Sequence, residues 1–256
     1  MNRRAFLFQS GSIFLSGFLG PGTWSRAFGF SNPGKTSLPR IALIIDDFGY
    51  SRSQAKWFWD LGVPITFAIL PKLEKSLDLA HEIHARGHEI MLHQPMEPQD
   101  SHLNPGPGAI FVGYGAERIK NVVQENIAAI PYASGVNNHM GSRLTECQRE
   151  MQAVLHVVEQ HDLFFVDSFT STQSVAYREA SKRQLPSARR NVFLDHYRIE
   201  AQILNQLLQL EFHARAHGSA IGIGHPYPET SRAIARYLTA PHNPAKYLVH
   251  MSMVLG

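Results

Sequence analysis

The sequence is poor in cysteine and lacks several motifs that define common enzyme classes. Cys147 is its only cysteine, so no disulfide bond can form within the chain. The HExxH motif, the phosphate loop, the GxGxxG fingerprint and the Gly-x-Ser-x-Gly elbow are all absent. These absences argue against a zincin protease, a nucleotide-binding enzyme and an α/β-hydrolase with a serine nucleophile.

Acidic residues are missing from the start of the chain. None precedes Asp46, whereas several arginines and lysines do, and the formal net charge of +3 arises partly there. The remainder of the chain is close to neutral. Charge therefore gives no reason to expect a nucleic-acid partner.

The N-terminal segment has the pattern of an export signal. Arg3 and Arg4 precede a short apolar region, and small residues follow. Adjacent arginines before Phe-Leu are typical of the twin-arginine route, with a Sec signal as the alternative. We expect residues 1–30 to direct export to the periplasm, 31–38 to form a linker and 39–256 to form one domain. The apolar region is too short and interrupted to predict a membrane span, and a disordered or weakly anchored N-terminus is the other interpretation.

From Pro39 onward, apolar runs alternate with segments of helical spacing. This alternation predicts right-handed βαβ units and a parallel sheet. Seven such units favour a single-domain α/β fold, an incomplete parallel barrel of the (β/α)7 type. The C-terminal tail, residues 247–255, is an eighth strand candidate that is out of phase with the others. The predicted strands are Ile41–Ile45, Pro64–Leu70, Glu89–His93, Gly135–His139, Leu163–Asp167, Arg190–Asp195 and Ala220–His225.

Ionisable side chains stand at or just beyond the ends of these predicted strands. In a β/α barrel the carboxyl ends of the strands share one face, where active sites are built. Burying so many polar groups without partners would be costly, so a bound metal or a hydrogen-bonded network is expected. The residues concerned are Asp47, His93, His139, Asp167, Asp195 and His225.

Each of these positions also has an ordinary structural interpretation. Asp46-Asp47, Asp167 and Asp195 can cap helices or begin turns, His93 can be a core histidine, and the segment around His225 can be a structural turn. The segment Asn137-Asn138-His139 can form an Asx-rich turn.

The chemical interpretation is a divalent metal site, most simply for Zn²⁺, because two or three Asp and His side chains suit that ion. Asp46 would act as a base toward a metal-activated water and His225 as an acid toward the leaving group. Asp167 would hold a histidine in its orientation.

Several motifs, taken together, resemble the divergent branch of the polysaccharide deacetylases, in the glycoside hydrolase/deacetylase superfamily. They are Ile44 to Gly49, Gly87 to Pro98, Gly135 to Ser142, Phe165 to Ser168 and Ile223 to Thr230. The resemblance implies a barrel of seven strands and a carbohydrate substrate. It also implies that Asp46 is the base, that Asp47 and His93 bind metal, and that His225 is the acid.

Two positions depart from the ordinary pattern of that family. Glu97 stands four residues after His93, where the family has a second histidine. For the third ligand we favour His139, which the strand-end argument places on the same face, and Glu97 is the alternative. The usual arginine–proline motif is replaced by the segment that contains Asn137 and Asn138, which are candidates for substrate binding together with Asp195.

The residues therefore favour a metal-dependent hydrolase of an amide or ester, and the resemblance implies that it deacetylates a polysaccharide or a cell-wall sugar. One alternative is a non-catalytic envelope protein that binds a glycan or a partner on the same barrel face. Another is a metal-dependent hydrolase that cleaves a different amide, such as a peptide bond. The sequence carries no prediction of an oligomeric state.

Overall fold

The computed structural model describes residues 38–255. The predicted export signal and the linker, apart from Leu38, lie outside the described residues. None of the helices in the described part of the chain is long and apolar enough to cross a membrane.

The core of the fold is a parallel sheet that curves into an incomplete barrel, as predicted. Its order is β6-β5-β4-β3-β2-β1-β8-β7, and β9 pairs with β1 off this path. The strands are β1 (Arg40–Phe48), β2 (Thr66–Ile69), β3 (Glu89–Met96), β4 (Ala133–Met140), β5 (Phe164–Asp167), β6 (Ser187–Arg189), β7 (Val192–Phe193), β8 (Ser219–Gly224) and β9 (Leu248–Val249).

Within residues 38–255, seven α-helices connect these strands and cover the outside of the sheet. They are α1 (Arg52–Trp59), α2 (Ser76–Ala85), α3 (Ala116–Ala129), α4 (Gln148–Gln160), α5 (Ala176–Lys182), α6 (Glu200–His217) and α7 (Pro228–Leu238). The longest, α6, buries Ile203, Leu207, Leu210 and Ala214, whose spacing places them on one face. It ends at Gly218, whose φ of 84° lies in the left-handed region that glycine adopts without strain.

Alternation along the strands divides the buried apolar residues into two groups. In β1, Ile41, Leu43 and Ile45 belong to the large cluster that also contains the buried faces of the helices. Ala42 and Ile44 belong to a smaller cluster made almost entirely of strand residues, which fills the barrel interior. Successive side chains point to opposite faces of a sheet, so this division defines an inward set and an outward set on each strand.

The interior is narrow, and glycine is required where strands approach closely. A Cβ atom on Gly135 of β4 would lie 2.2 Å from the ring of Phe164. Since Phe164 is buried in the interior cluster, a larger residue at position 135 would force the two strands apart.

Two predicted strand boundaries are wrong in informative ways. Strand β3 continues past His93 to Met96, because β4 pairs with it as far as Met140. Of the predicted strand Arg190–Asp195 only Val192–Phe193 pair, as β7, and the separate strand β6 (Ser187–Arg189) precedes it at the opposite edge of the sheet. The chain crosses between these edges at Arg190 and Asn191.

The C-terminal tail does not form a full strand of the barrel. Only Leu248–Val249 pair with β1, and short 3₁₀ helices lie on either side, at Pro244–Tyr247 and Met251–Val254.

Candidate metal centre and active site

The polar residues of the site continue the inward-facing rows of the barrel interior. Met91 on β3 belongs to the interior cluster, and His93 follows it two positions later. In the same way, His225 follows Ile221 and Ile223 of β8, and Asp46 follows Ala42 and Ile44 of β1. Every second residue of a strand points into the barrel, so each inward-facing row is apolar along the strand and ends in a polar side chain at the carboxyl end of the barrel.

Three side chains meet there around one point. Oδ1 of Asp47 lies 2.9 Å from Nδ1 of His139 and 3.1 Å from Nε2 of His93. The two imidazole nitrogens lie 3.2 Å apart. Within residues 38–255, this is the one group of three His, Cys, Asp or Glu residues whose donor atoms lie within 4.8 Å of one another.

Asp47 reaches this cluster through an unusual backbone conformation. It follows Asp46, so a regular strand would direct its side chain away from the interior. Its φ of 60° lies in the left-handed region, which turns the chain at the end of β1 and brings the carboxylate back. A non-glycine residue in this region stores strain, and such strain is typical of functional sites.

The donor set fits a divalent metal ion. Oδ1 of Asp47 is buried and has no hydrogen-bond partner among the described residues, although two imidazole nitrogens lie beside it. Three donor atoms that face one another this closely form a costly arrangement unless a proton or a cation lies between them. Ligands about 2.0 Å from a tetrahedral zinc are roughly 3.3 Å apart, close to the separations seen here. His93, His139 and Asp47 would hold such an ion, with a position left open on the cavity side.

The electrostatics of Asp47 agree with this role. Burial alone would raise the pKa of Asp47, but the imidazoles of His139 and His93 outweigh burial and hold that pKa far below its usual range. The carboxylate is therefore ionised at neutral pH, as a metal ligand must be.

Asn137 links His93 to the second carboxylate of the pair. Its Oδ1 lies 2.8 Å from Nδ1 of His93, which fixes the ring with Nε2 toward the cluster. Its Nδ2 donates to Oδ1 of Asp46 at 2.8 Å. Oδ2 of Asp46 lies 3.6 Å from Nε2 of His93, so this buried carboxylate stands beside the cluster without joining it.

The surroundings of Asp46 make its carboxylate a better proton acceptor than an exposed one. Burial raises the pKa of Asp46, and the neighbouring imidazoles of His93 and His225 offset this only in part. A carboxylate with a raised pKa accepts a proton more readily than an exposed one.

His225 faces the cluster from β8 and is oriented by Asp195. Its Nδ1 donates to Oδ1 of Asp195 at 2.8 Å, and its backbone N–H donates to Oδ2 at 2.6 Å. Thr230 donates to the same Oδ2 at 2.7 Å, so the Asp195 carboxylate is held from several sides. Nε2 of His225 then lies 3.9 Å from Oδ2 of Asp47. Burial opposes protonation, but the hydrogen bond and charge of Asp195 outweigh it and raise the pKa of His225 to about 9.

The predicted role of Asp167 is wrong, and the strand period explains why. Val166 of β5 faces the interior, so Asp167 points to the helix side. Its carboxylate accepts hydrogen bonds from the backbone of Phe169 at 2.8 Å, from Ser174 at 2.8 Å and from the backbone of Tyr177 at 3.3 Å. Asp167 therefore fixes the loop and the start of α5, and Asp195 orients the histidine instead.

Glu97 does not lie at the donor cluster, so the geometry favours His139 over Glu97 as the third ligand. Its Oε2 accepts the backbone N–H of Val112 at 2.6 Å, and its Oε1 accepts from Arg143 at 2.9 Å. Both oxygens thus anchor the loops between β3 and α3 and after β4. His139 lies with Asp47 and His93 in that cluster, on the face where the strand-end argument expects it.

Asn138 lies in the wall of the cavity, as a substrate-binding candidate should, but its polar atoms are committed to the protein. Its Oδ1 accepts the backbone N–H of Ser168 at 2.9 Å, and its Nδ2 donates to the carbonyl of Met140 at 2.8 Å. It therefore shapes the wall. Asn137 and Asp195, the other two candidates, position His93 with Asp46 and His225 respectively.

A cavity of about 440 Å³ opens over the donor cluster. Asp46, Asp47 and His225 line it together with two groups that the sequence analysis missed. These are the rings of Phe169 and Phe193 and the guanidinium of Arg190. The polar pair Arg190-Asn191, at the start of an otherwise apolar run, was the signal that a continuous strand did not fit there.

The fold and site define an incomplete β/α barrel with a candidate metal centre at the carboxyl ends of its strands. Residues 43–255 match the family described as divergent polysaccharide deacetylase, and the chain belongs to that family. The family resemblance of the motifs is thereby confirmed.

Individual relatives agree with this placement. The uncharacterized protein YibQ of Escherichia coli (strain K12) is 34% identical over 198 residues, which are 76% of this chain and 61% of that protein. The chain thus spans 61% of the length of that relative. An uncharacterized protein from Agrobacterium tumefaciens has a crystal structure with a TM-score of 0.78 and 26% identity, over 85% of this chain and 89% of that one.

A solved peptidoglycan N-acetylglucosamine deacetylase is a more distant match. It has a TM-score of 0.52 and 14% identity, over 86% of this chain and 89% of that chain. This likeness is one of fold.

Proposed function

We propose that this protein is a metal-dependent hydrolase that removes acetyl groups from an N-acetylated polysaccharide or cell-wall sugar. The proposal depends mainly on the different positions of two adjacent carboxylates. Asp47 completes a donor cluster with His93 and His139, and Asp46 stands buried beside it. A binding protein has no need for a buried base next to a metal ligand.

The residues of the chain can then be given roles. A bound divalent ion, Zn²⁺ by the chemistry of the donors, would activate a water molecule and polarise the acetamide carbonyl. Asp46 takes the proton from the water through Oδ2, since Asn137 occupies Oδ1. His225 gives a proton to the departing sugar amine, because Asp195 fixes its Nδ1 and leaves Nε2 directed at the cavity.

The substrate assignment is supported by the family and by the site. The family description names polysaccharide deacetylases. The cavity combines polar groups with the rings of Phe169 and Phe193, which can pack against a sugar ring and its acetyl methyl group. We further infer export to the periplasm, from the N-terminal pattern of residues 1–30, which would place the protein beside cell-wall glycans.

Acetate release tests the proposal. Purified protein loaded with zinc should release acetate from chitooligosaccharides or from peptidoglycan, and the rate should fall to background after chelation and return when zinc is added. Free acetate is measured by an enzyme-coupled assay. Stoichiometric metal binding without acetate release from either glycan would contradict the proposal and favour a non-catalytic glycan-binding protein.

Asp195→Asn should lower kcat by about 10- to 100-fold while metal content and KM stay near wild type. An amide can present one oxygen, whereas the Asp195 carboxylate receives His225 Nδ1 on one oxygen and two further donors on the other. His225 would therefore lose its orientation or its charge partner. Metal content by mass spectrometry and kinetics on one glycan check the result. Loss of metal, or a rise in KM with unchanged kcat, would contradict this positioning role.

A further inference from the structure

Arg190 is held at the seam where the open barrel comes closest to closing. The sheet begins with β6 and ends with β7, and Arg190 and Asn191 connect these two edge strands. The backbone N–H of Arg190 donates to the carbonyl of Asp167 at 3.1 Å, and that of Asn191 donates to the carbonyl of Ile221 at 2.9 Å. The chain is thus fixed on both sides of the seam, and the side chain of Arg190 lines the cavity from a rigid position.

The guanidinium is oriented by contacts that leave several of its donors unused. Nε donates to the carbonyl of Ser168 at 2.7 Å, and Nη2 donates to the carbonyl of Phe169 at 3.0 Å. The group also lies over the ring of Phe193, with Cζ 4.8 Å from its centroid. A guanidinium carries five N–H donors, so the hydrogens of Nη1 and one of Nη2 remain for another partner.

No carboxylate within residues 38–255 forms an ion pair with Arg190, although the residue is half-buried. The two acids that affect it electrostatically are Asp46 and Asp167, and Asp46 is held by Asn137 while Asp167 is held by its own loop. Burial lowers the pKa of Arg190, and these two charges compensate only in part. A half-buried cation without a counter-ion is costly unless a ligand supplies the negative charge.

We propose that Arg190 binds a carboxylate carried by the substrate, so that the preferred substrate is an N-acetylated glycan containing acidic sugar residues. This inference rests on the proposed function for the sugar, and on the geometry of Arg190 for the acid. The free Nη1 and Nη2 hydrogens can form two parallel bonds, which matches the two oxygens of a carboxylate.

Equilibrium binding separates this inference from catalysis. The probes are the disaccharide N-acetylglucosaminyl-N-acetylmuramic acid, which carries one carboxylate, and its methyl ester, which carries none. Calorimetry is performed with the full chain after chelation, so that a bound metal cannot capture the carboxylate. We expect wild-type protein to bind the acid at least about tenfold more tightly than the ester, the advantage of a charge-assisted hydrogen bond.

Variants at the seam identify the group responsible. Arg190→Gln should remove the preference for the acid and leave the affinity for the ester unchanged. Arg190→Lys should keep part of the preference for the acid, because the positive charge remains. The preference should be smaller than in wild type, because the planar guanidinium is lost. Arg189→Gln is the matched control, since Arg189 is exposed, packs over Phe169 and does not line the cavity, and it should behave as wild type.

The outcomes are distinct. Equal binding of acid and ester by wild type, no binding of the acid, or an equal loss for both probes in Arg190→Gln would each overturn the inference. If Arg190→Gln does not fold, as judged by circular dichroism, the wild-type comparison and Arg190→Lys decide. Acid binding that depends on Arg190 without any acetate release would remove the proposed hydrolase and keep this site. Acetate release without a preference for the acid would keep the proposed hydrolase and remove the carboxylate site at Arg190.

Discussion

Zinc affinity should fall by more than about 100-fold when His93 is replaced by alanine, because one of the three proposed protein ligands would be lost. Substitution of outer-shell residues alone typically costs 10- to 100-fold, and a ligand contributes more than its supports. His93 is 2% exposed, so water has little access to replace it. Asp47→Asn and His139→Ala should weaken binding in the same direction, since the three donor atoms lie within 4.8 Å of one another. Competition with a chromophoric chelator measures the affinity, and mass spectrometry measures the bound metal.

Glu97→Gln is the matched control for these variants. It removes an acid close in sequence to His93, but its oxygens contact Val112 and Arg143 rather than the cluster. We expect full metal content in Glu97→Gln, with some loss of thermal stability from the weakened loop contacts. Metal loss in Glu97→Gln together with full content in His139→Ala would reverse the assignment of the third ligand. His93→Gln, which is polar and similar in volume, replaces His93→Ala if the alanine variant does not fold.

Much of this fold could be predicted because apolar residues recur along the sequence with the periods of strands and helices. Continuous apolar runs such as Ile41–Ile45 indicate strands covered on both faces, and the helical segments between them require parallel connections. A β/α barrel brings the carboxyl ends of all its strands to one face. The predicted fold was therefore enough to place Asp47, His93 and His139 close together.

The roles of Asp167 and Asp195 could not be separated in this way. Both follow apolar runs, but a shift of one residue along a strand moves a side chain to the opposite face. Val166 points into the barrel on β5, so Asp167 points outward and binds Ser174, just before α5. Strand boundaries read from sequence are uncertain by more than one residue, so the face of an aspartate at a strand end stays undetermined until the register is known.

Glu97 and Arg190 depend on contacts that are distant in sequence. Glu97 was a ligand candidate by its spacing from His93, yet Arg143, in the loop after β4, holds its carboxylate away. Arg190 reaches the cavity because the chain leaves one edge of the sheet and joins the other at that point. A short segment of sequence does not predict where the edges of a barrel approach each other, since this depends on the curvature of the whole sheet.

Asp46→Asn should keep the metal and lower kcat by about 100- to 10,000-fold, the range over which a general base contributes. Asparagine has nearly the same shape, and its oxygen can still accept the bond from Asn137 that now reaches Asp46 at 2.8 Å. Its amide nitrogen then stands where Oδ2 takes the proton, and an amide nitrogen cannot accept one. KM should change little, because the cavity wall is preserved.

Parallel measurements of bound zinc and of acetate release distinguish the roles of the two adjacent aspartates. We expect Asp47→Asn to lose metal and activity together, whereas Asp46→Asn should lose activity alone. Asp46→Glu should recover part of the rate, because it restores a carboxylate about one methylene away from the original position. If Asp46→Asn instead lost its zinc, Asp46 would be a ligand, and the buried carboxylate 3.6 Å from His93 would have to move into the cluster to become one. Full activity in Asp46→Asn would leave no base at this site and would remove the observation on which the proposed hydrolase depends.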